Sequence, residues 1–232
     1  MRFVSSAGSN RAAMARLGAV ALVLAVAGTA PAYAATLPMC PVTDGMTASY
    51  DIVRGGSVIG RHTVQFAKRG ADLVVTIGVT AALYALGVRV YHYEHHGTEL
   101  WRDGRMLQMD TRTVDDGDQH TVNARMDPAS GIWTGLPAKV PVTGPLLASS
   151  LWNSETVRQT RFLDNETGAV NPLRVTPAGE EALTLAGKQV RASRFEMAGN
   201  TAGSVWYDGS GCWVRALFKS PLDGSMIDVR AR

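Results

Sequence analysis

The sequence lacks the short motifs that mark common enzyme classes. It contains no G-x-S-x-G nucleophile elbow, no H-E-x-x-H zinc motif, no P-loop and no G-x-G-x-x-G. A catalytic triad is recognised by its geometry and not by local sequence, so these absences weaken the case for an enzyme without excluding one. The sequence therefore favours a non-enzymatic role.

Long apolar runs are also lacking after residue 35, and the one apolar core before it is short. Leu17–Gly28 is an uncharged run of a dozen residues, preceded by Arg2, Arg11 and Arg16 and followed by the small-residue site Ala32-Tyr33-Ala34. A bilayer span needs about 20 apolar residues, whereas a signal-peptide core needs about 7 to 15. The pattern predicts a cleaved signal peptide over residues 1–34 and a mature domain over residues 35–232 with no membrane span.

Two other interpretations of this N-terminal region remain open. One is an uncleaved anchor, since no charge follows the apolar core until Asp44. The other is a lipoprotein acylated at Cys40, although Met39 before it is larger than the small residue that lipidation requires, and Pro38 is also unsuited. Pro31 and its small neighbours favour cleavage.

An excess of charge of one sign is missing from the mature domain. The whole chain has 23 Lys and Arg against 20 Asp and Glu, and the three leader arginines account for the difference. A neutral domain has no electrostatic footprint for nucleic acid. Richness in Ala, Gly, Arg and Val is typical of bacteria with GC-rich genomes, so the sequence predicts a periplasmic location.

Cys40 and Cys212 are the only cysteines. In an oxidising compartment an even count predicts a disulfide, and two cysteines allow a single intramolecular pairing. A buried free thiol or two unrelated cysteines are the alternatives. Without a C-x-x-C motif, a redox role is not indicated.

Turn residues divide the mature chain into short runs. Gly with Asp, Ser or Arg recurs every ten to fifteen residues, as in Arg54–Ser57, Asp103-Gly104, Asp115–Asp118 and Asp208–Gly211. Apolar and polar residues alternate between these turns, for example over Gln119–Met126. This spacing predicts an all-β, mainly antiparallel fold: an up-and-down meander forming a curved sheet or a partial or closed barrel.

One segment departs from this pattern. Residues 136–153 contain three prolines and end in an apolar patch that includes Trp152. Prolines exclude a regular central strand, so we predict a Pro-rich crossover, with a helical turn or two over Leu146–Trp152. The crossover either plugs one end of the barrel or covers an internal cavity.

Three groups of motif residues occur together in this order. They form an opening hairpin, a central strand pair and a late hairpin: Tyr50, Gly56, Ile59 and Gly60; Tyr91, Tyr93, Glu99, Trp101, Asp103 and Gly104; Trp206, Tyr207, Asp208, Gly211 and Trp213. In these motifs the chain resembles exported, periplasmic proteobacterial families catalogued as domains of unknown function. The resemblance implies a curved or barrel-like antiparallel sheet over nearly all of the mature chain, and it brings no known catalytic residues with it.

The densest group of metal-ligand residue types is His92-Tyr93-Glu94-His95-His96. On a strand, His92, Glu94 and His96 share one face, which is a partial ligand set for zinc, and inward-pointing His62 would add a fourth. A water-facing strand end and a core histidine are the simpler interpretations. Glu99 beside Trp101 is interpreted as a cross-strand partner for Arg89 or Arg112.

Aromatic residues are the remaining candidates for a binding site. In a small barrel they either fill the interior or line a cavity. We predict that a ligand-binding face includes His62, Tyr91, Tyr93, Trp101, Trp152 and Trp206.

These observations favour a non-enzymatic periplasmic carrier of a hydrophobic molecule such as a lipid, with no cofactor. An accessory protein that binds a cell-envelope protein, and a metal-dependent or other hydrolase built on His92, Glu94 and His96, are the alternatives.

Overall fold

The computed structural model describes residues 37–200 and 202–232. The predicted signal peptide, residues 1–34, lies outside this range. No helix in the described part of the chain has the length and apolar character needed to cross a bilayer.

The described chain forms fourteen strands and one short 3-10 helix, Ser154–Arg158. The strands are β1 Thr47–Arg54, β2 Ser57–Arg69, β3 Asp72–Ala85, β4 Val88–Arg102, β5 Arg105–Asp115, β6 Asp118–Met126, β7 Ile132–Thr134, β8 Val142–Thr143, β9 Arg161–Leu163, β10 Val170–Leu185, β11 Lys188–Gly199, β12 Gly203–Asp208, β13 Trp213–Lys219 and β14 Met226–Ala231. The predicted all-β class is confirmed.

Two-residue turns join several of the hairpins. Asp103-Gly104 and Asp116-Gly117 have positive φ at both positions, the geometry that matches the twist of flanking strands. Leu86-Gly87 and Ala186-Gly187 make the same turn, which sequence did not predict because Leu and Ala rarely adopt positive φ.

All strands belong to a single antiparallel sheet in the order β8-β7-β6-β5-β4-β3-β2-β1-β14-β13-β12-β11-β10-β9. The first and last strands pair in the middle, with Tyr50 opposite Ala231. The sheet is curved and unclosed, with β8 and β9 at its two edges. The segment between them approaches β9, since Ala148 bridges Leu163.

Apart from the two-residue edge strand β8, the crossover of residues 136–153 is irregular, as its prolines predicted, but Leu146–Trp152 is not helical. The helix begins just after it at Ser154, because the Asn153 side chain accepts a hydrogen bond from the Glu155 amide at 2.9 Å and caps the first turn. Leu146, Leu147 and Ala148 are buried in the core.

The predicted disulfide between Cys40 and Cys212 is present, with 172 residues of sequence separation. It fixes residues 37–40 against the β12–β13 turn. Leu37 is buried in the core, and the Pro38 carbonyl accepts a hydrogen bond from Ser154 at 2.8 Å. The start of the described chain is thereby packed against the fold.

Inward side chains form one large apolar core on the concave face. A second, smaller cluster lies on the opposite face of the sheet, where the β10–β11 hairpin packs over Trp206 and Val214. We divide the large core into a filled part, whose residues do not line the cavity described below, and a hollow part, whose residues do.

Candidate functional site

The concave face contains a cavity of about 390 Å³. Its wall is mainly apolar, and the apolar residues belong to β1–β3, β11, β13 and β14: Ile52, Ile59, Val79, Ala81, Leu83, Met197, Trp213, Ala216, Phe218, Ile227 and Val229. Ser149, Ser150 and Leu151 of the crossover close another side. The volume lies within the range of small-molecule sites, and so does the apolar lining with a few polar groups.

Small side chains explain why this part of the interior is hollow. Gly60 on β2 pairs with Ala81 on β3, so two neighbouring positions carry only a hydrogen atom and a methyl group. A Cβ atom added at Gly60 would stand 2.1 Å from the Thr80 carbonyl oxygen and 2.7 Å from the Ala81 Cα, so only glycine fits there. Ala216 on β13 lines the opposite wall.

His62 belongs to an aromatic group at the cavity wall. Tyr50 and Trp213 stack with ring centroids 4.1 Å apart, and the His62 ring lies 5.1 Å from Trp213. Its Nε2 atom is buried with no hydrogen-bond partner among the described residues. Burial, with a smaller effect of His95, lowers the pKa of His62 to about 3, so the imidazole is neutral.

Polar side chains of β4, β5 and the β9–β10 turn form another wall of the cavity. The Tyr91 hydroxyl donates to Asp115 Oδ1 at 2.6 Å, and the Tyr93 hydroxyl lies 3.4 Å from Glu166 Oε2. Burial and the neighbouring carboxylates raise the pKa of both tyrosines, which stay protonated as donors. Burial, then Asp115 and Asp164, raises the pKa of Glu166.

His95 extends this wall inward. Its Nδ1 atom lies 2.8 Å from Thr113 Oγ1, and its Nε2 atom lies 3.4 Å from Asn165 Nδ2. Burial, with a smaller effect of His96, lowers the pKa of His95 to about 4. Asn165 and Glu166 belong to the β9–β10 turn, so the contacts to His95 and Tyr93 join the far edge of the sheet to β4.

Half of the predicted ligand-binding residues line the cavity: His62, Tyr91 and Tyr93 do so. Trp101 and Trp152 lie in the filled part, with ring centroids 5.2 Å apart. Trp206 lies on the opposite face of the sheet, between the guanidinium groups of Arg194 and Arg215. Regular alternation along β12 places it outward, between the inward side chains of Val205 and Tyr207.

The predicted metal ligands lie on the outer face of β4, away from His62. His96 Nε2 lies 2.9 Å from Glu94 Oε1, and both side chains are exposed. Within the described ranges, no three His, Cys, Asp or Glu side chains stand close enough together to hold a metal ion. A metal site at His92, Glu94 and His96 stays a prediction without support from this geometry.

The predicted cross-strand pairing of Glu99 is wrong, because Glu99 contacts neither Arg89 nor Arg112. Its side chain is buried in the filled part, where Oε2 accepts hydrogen bonds from the Trp101 and Trp152 indoles at 2.8 and 2.9 Å. Burial raises its pKa against the opposing effect of these hydrogen bonds. The alternating pattern of β4 places Glu99 on the same face as His95, which was the available signal.

Sequence reasoning missed Asp115, Asn165 and Glu166 as lining residues. Asp115 was assigned only to a turn, whereas it is the last residue of β5 and the turn itself is Asp116-Gly117. Asn165 and Glu166 carry no local signal, because only the curvature of the sheet brings their turn to β4.

Exposed apolar side chains surround the hollow part at the strand ends. The tip of the β3–β4 hairpin exposes Tyr84, Leu86, Val88 and Val90, and the β13–β14 turn exposes Leu222. Leu83, Tyr91 and Leu222 also line the cavity. The apolar tip is therefore continuous with the cavity wall.

Comparisons with known proteins agree with this architecture. The chain is similar to a crystal structure of a beta-barrel-like protein of domain of unknown function DUF1849 from Brucella abortus, with a TM-score of 0.56, 11% identity, and coverage of 80% of this chain and 94% of that one. This similarity supports the fold alone. A search of curated proteins finds no match.

Residues 50–232 match the family described as domain of unknown function (DUF6134). This agrees with the resemblance that the sequence motifs indicated. The match begins at Tyr50, the first motif residue, and includes the cavity wall from β1 to β14. Because it spans well over half of the chain, the protein belongs to the DUF6134 family.

Proposed function

We propose that this protein binds a hydrophobic small molecule, such as a lipid, in the hollow part of its core and carries it without catalysis. The observation that supports this most is the apolar cavity of about 390 Å³. Protein interiors are otherwise packed as densely as organic crystals, so a cavity of this size has a cost in lost contacts that a ligand would recover.

We also propose that the protein acts outside the cytoplasm, in the periplasm. It draws on the predicted signal peptide of residues 1–34 and on the Cys40–Cys212 disulfide, since such bonds persist in oxidising compartments. A carrier there would hold its apolar cargo away from water.

The test is titration with an apolar fluorescent probe, N-phenyl-1-naphthylamine, comparing the natural protein with a variant whose cavity is occupied. Ala81→Trp places an indole into the cavity, whereas Thr80→Trp places the same side chain on the outer face of the same strand. We expect one probe to bind per chain, and about tenfold weaker binding in Ala81→Trp alone.

The proposal fails if the natural protein does not enhance probe fluorescence. It also fails if both variants bind as the natural protein does, because the probe would then occupy another surface. Circular dichroism of both variants checks that each retains the sheet.

A second candidate function, binding of a cell-envelope protein, is favoured by the exposed β3–β4 tip. Leu86 is fully exposed, and Tyr84, Val88 and Val90 are more than half exposed. Large exposed apolar patches often mark interaction sites. Crosslinking in envelope fractions distinguishes the two: a partner that is lost in Leu86→Asp but retained in Ala81→Trp supports this function.

A further inference from the structure

The polar wall of the cavity has a charge that its own residues do not balance. Asp115, Asp164 and Glu166 contribute three carboxylates to the lining. Among the described lining residues, Arg54 is the one lysine or arginine, and it already pairs with Asp223. The remaining titratable groups near this wall are Tyr91, Tyr93, Asp116, His95 and His120.

The three carboxylates differ in how well they are satisfied. Asp164 Oδ1 accepts the amides of Glu166 and Thr167, both at 2.9 Å, and therefore shapes the β9–β10 turn. Asp115 and Glu166 instead face tyrosine hydroxyls, at 2.6 and 3.4 Å. Their negative charge is available to a molecule in the cavity.

We propose that this wall receives the ammonium headgroup of an amphiphilic amine, whose apolar chain occupies the rest of the cavity. This inference rests on the proposed function and names its ligand class. An ammonium group beside Asp115 and Glu166 would offset their mutual repulsion, and the rings of Tyr91 and Tyr93 would add cation–π attraction.

A second, independent feature indicates a ligand with polar groups. His62 Nε2 is buried at the same cavity and unpaired within the described part of the chain. A buried polar atom without a hydrogen bond is costly and rare in native proteins. A hydroxyl or amide on the ligand would satisfy this nitrogen.

The environment of the Glu166 carboxyl group also fits a bound ammonium group. Burial, with Asp115 and Asp164 next to it, raises its pKa above the ordinary value for glutamate. A bound cation reverses this effect by favouring the charged carboxylate. Amine binding should therefore weaken as the pH falls and Glu166 becomes protonated.

The test compares three ligands with the same chain, dodecylamine, dodecanol and dodecanoate, each kept monomeric. Their affinities are measured by displacement of N-phenyl-1-naphthylamine from the purified, disulfide-bonded protein at low salt. We expect dodecylamine to bind about tenfold tighter than dodecanol, and dodecanoate to bind more weakly than either.

The double variant Asp115→Asn with Glu166→Gln assigns the preference to this wall. It should reduce the ratio of amine to alcohol affinity to less than about threefold. The control is Asp110→Asn, which removes a carboxylate from the outer face of the same strand. It should leave the ratio as in the natural protein.

The outcomes separate this inference from the proposed function. If the probe binds but all three headgroups are equivalent, or if the double variant retains the preference for the amine, the inference is wrong and apolar binding stands. If neither the probe nor any amphiphile binds, both are wrong.

Discussion

The filled and hollow parts of the core are built on the same strands but use different side chains. On β4, Glu99 and Trp101 point into the filled part, where Trp152 packs edge to face against both Trp101 and Phe66. A few residues earlier, Tyr91 and Tyr93 point into the cavity. A single alternating strand thus serves two interiors, and the size of the facing side chains decides which one is empty.

Each part also buries a polar group at a cost. Glu99 Oε1 in the filled part and His62 Nε2 in the hollow part both lack hydrogen-bond partners among the described residues. Glu99 is nevertheless held by two indole donors to its other oxygen. His62 has no such support, and it faces a space that a ligand can enter.

The largest expected effect concerns the disulfide, which anchors residues 37–40 to the filled part. Cys212→Ser should lower the free energy of unfolding by about 4 kcal/mol, because the unfolded chain regains the freedom of a long loop. Urea unfolding measures the loss. Cys40→Ser should give the same loss, and the double variant should add nothing. A loss below about 1 kcal/mol would mean that the bridge constrains little.

A matched pair of leucines tests the difference in packing directly. Leu146 is 1% exposed in the filled part, whereas Leu83 lies at the cavity wall. Leu146→Ala should cost about 3 kcal/mol because it creates a new cavity, and Leu83→Ala should cost less than about 1 kcal/mol because its surroundings are already open. Equal costs in urea unfolding would contradict the distinction between the two parts.

Acid should destabilise the hollow part through its histidines. The pKa of His62 is about 3 in the folded protein against 6.5 when unperturbed. Its contribution is therefore complete above pH 6.5 and decreases as the pH falls toward 3, by about 2 kcal/mol at pH 5. His62→Phe should lose about 2 kcal/mol less than the natural protein between pH 7.5 and pH 5.

The control for this prediction is His96→Phe, which changes an exposed histidine on the outer face. It should show the same loss of stability in acid as the natural protein. If His62→Phe and His96→Phe behave alike, His62 is not held neutral by burial.

The smallest effect on stability is expected at Glu99. Its pH dependence is opposite to that of His62. Its raised pKa means that the protonated form favours folding, so this contribution is present below the unfolded pKa and decreases as the pH rises through the folded one. Glu99→Gln should raise the free energy of unfolding at pH 8 by about 1 kcal/mol and have less effect at pH 5. A destabilised variant at pH 8 would show that the carboxylate itself is needed.

The sequence predicted the strands well where turns and alternation agree. Asp-Gly turns and the alternation of β6 follow from local backbone preferences and from one face being buried. The disulfide followed from there being only two cysteines. Such features need no knowledge of distant contacts.

Features that depend on curvature were not predictable in the same way. The contacts of Asn165 with His95 and of Glu166 with Tyr93 join residues that are 70 and 73 positions apart. The number of aromatic residues also did not show which of them fill the core and which line the cavity. Trp101 and Trp152 were therefore assigned to the binding site although they pack in the core. Strand alternation gives the face of a residue but not what stands opposite it.

The most direct test of the account is methyl NMR of the isotope-labelled protein titrated with N-phenyl-1-naphthylamine. We predict that the signals of Leu83, Ile227 and Val229 at the cavity shift with saturation at one probe per chain. The signals of Val75, Leu146 and Leu163 in the filled part should stay in place. Shifts in both sets alike, or in neither, would contradict a hollow part that takes an apolar ligand beside a filled part that does not.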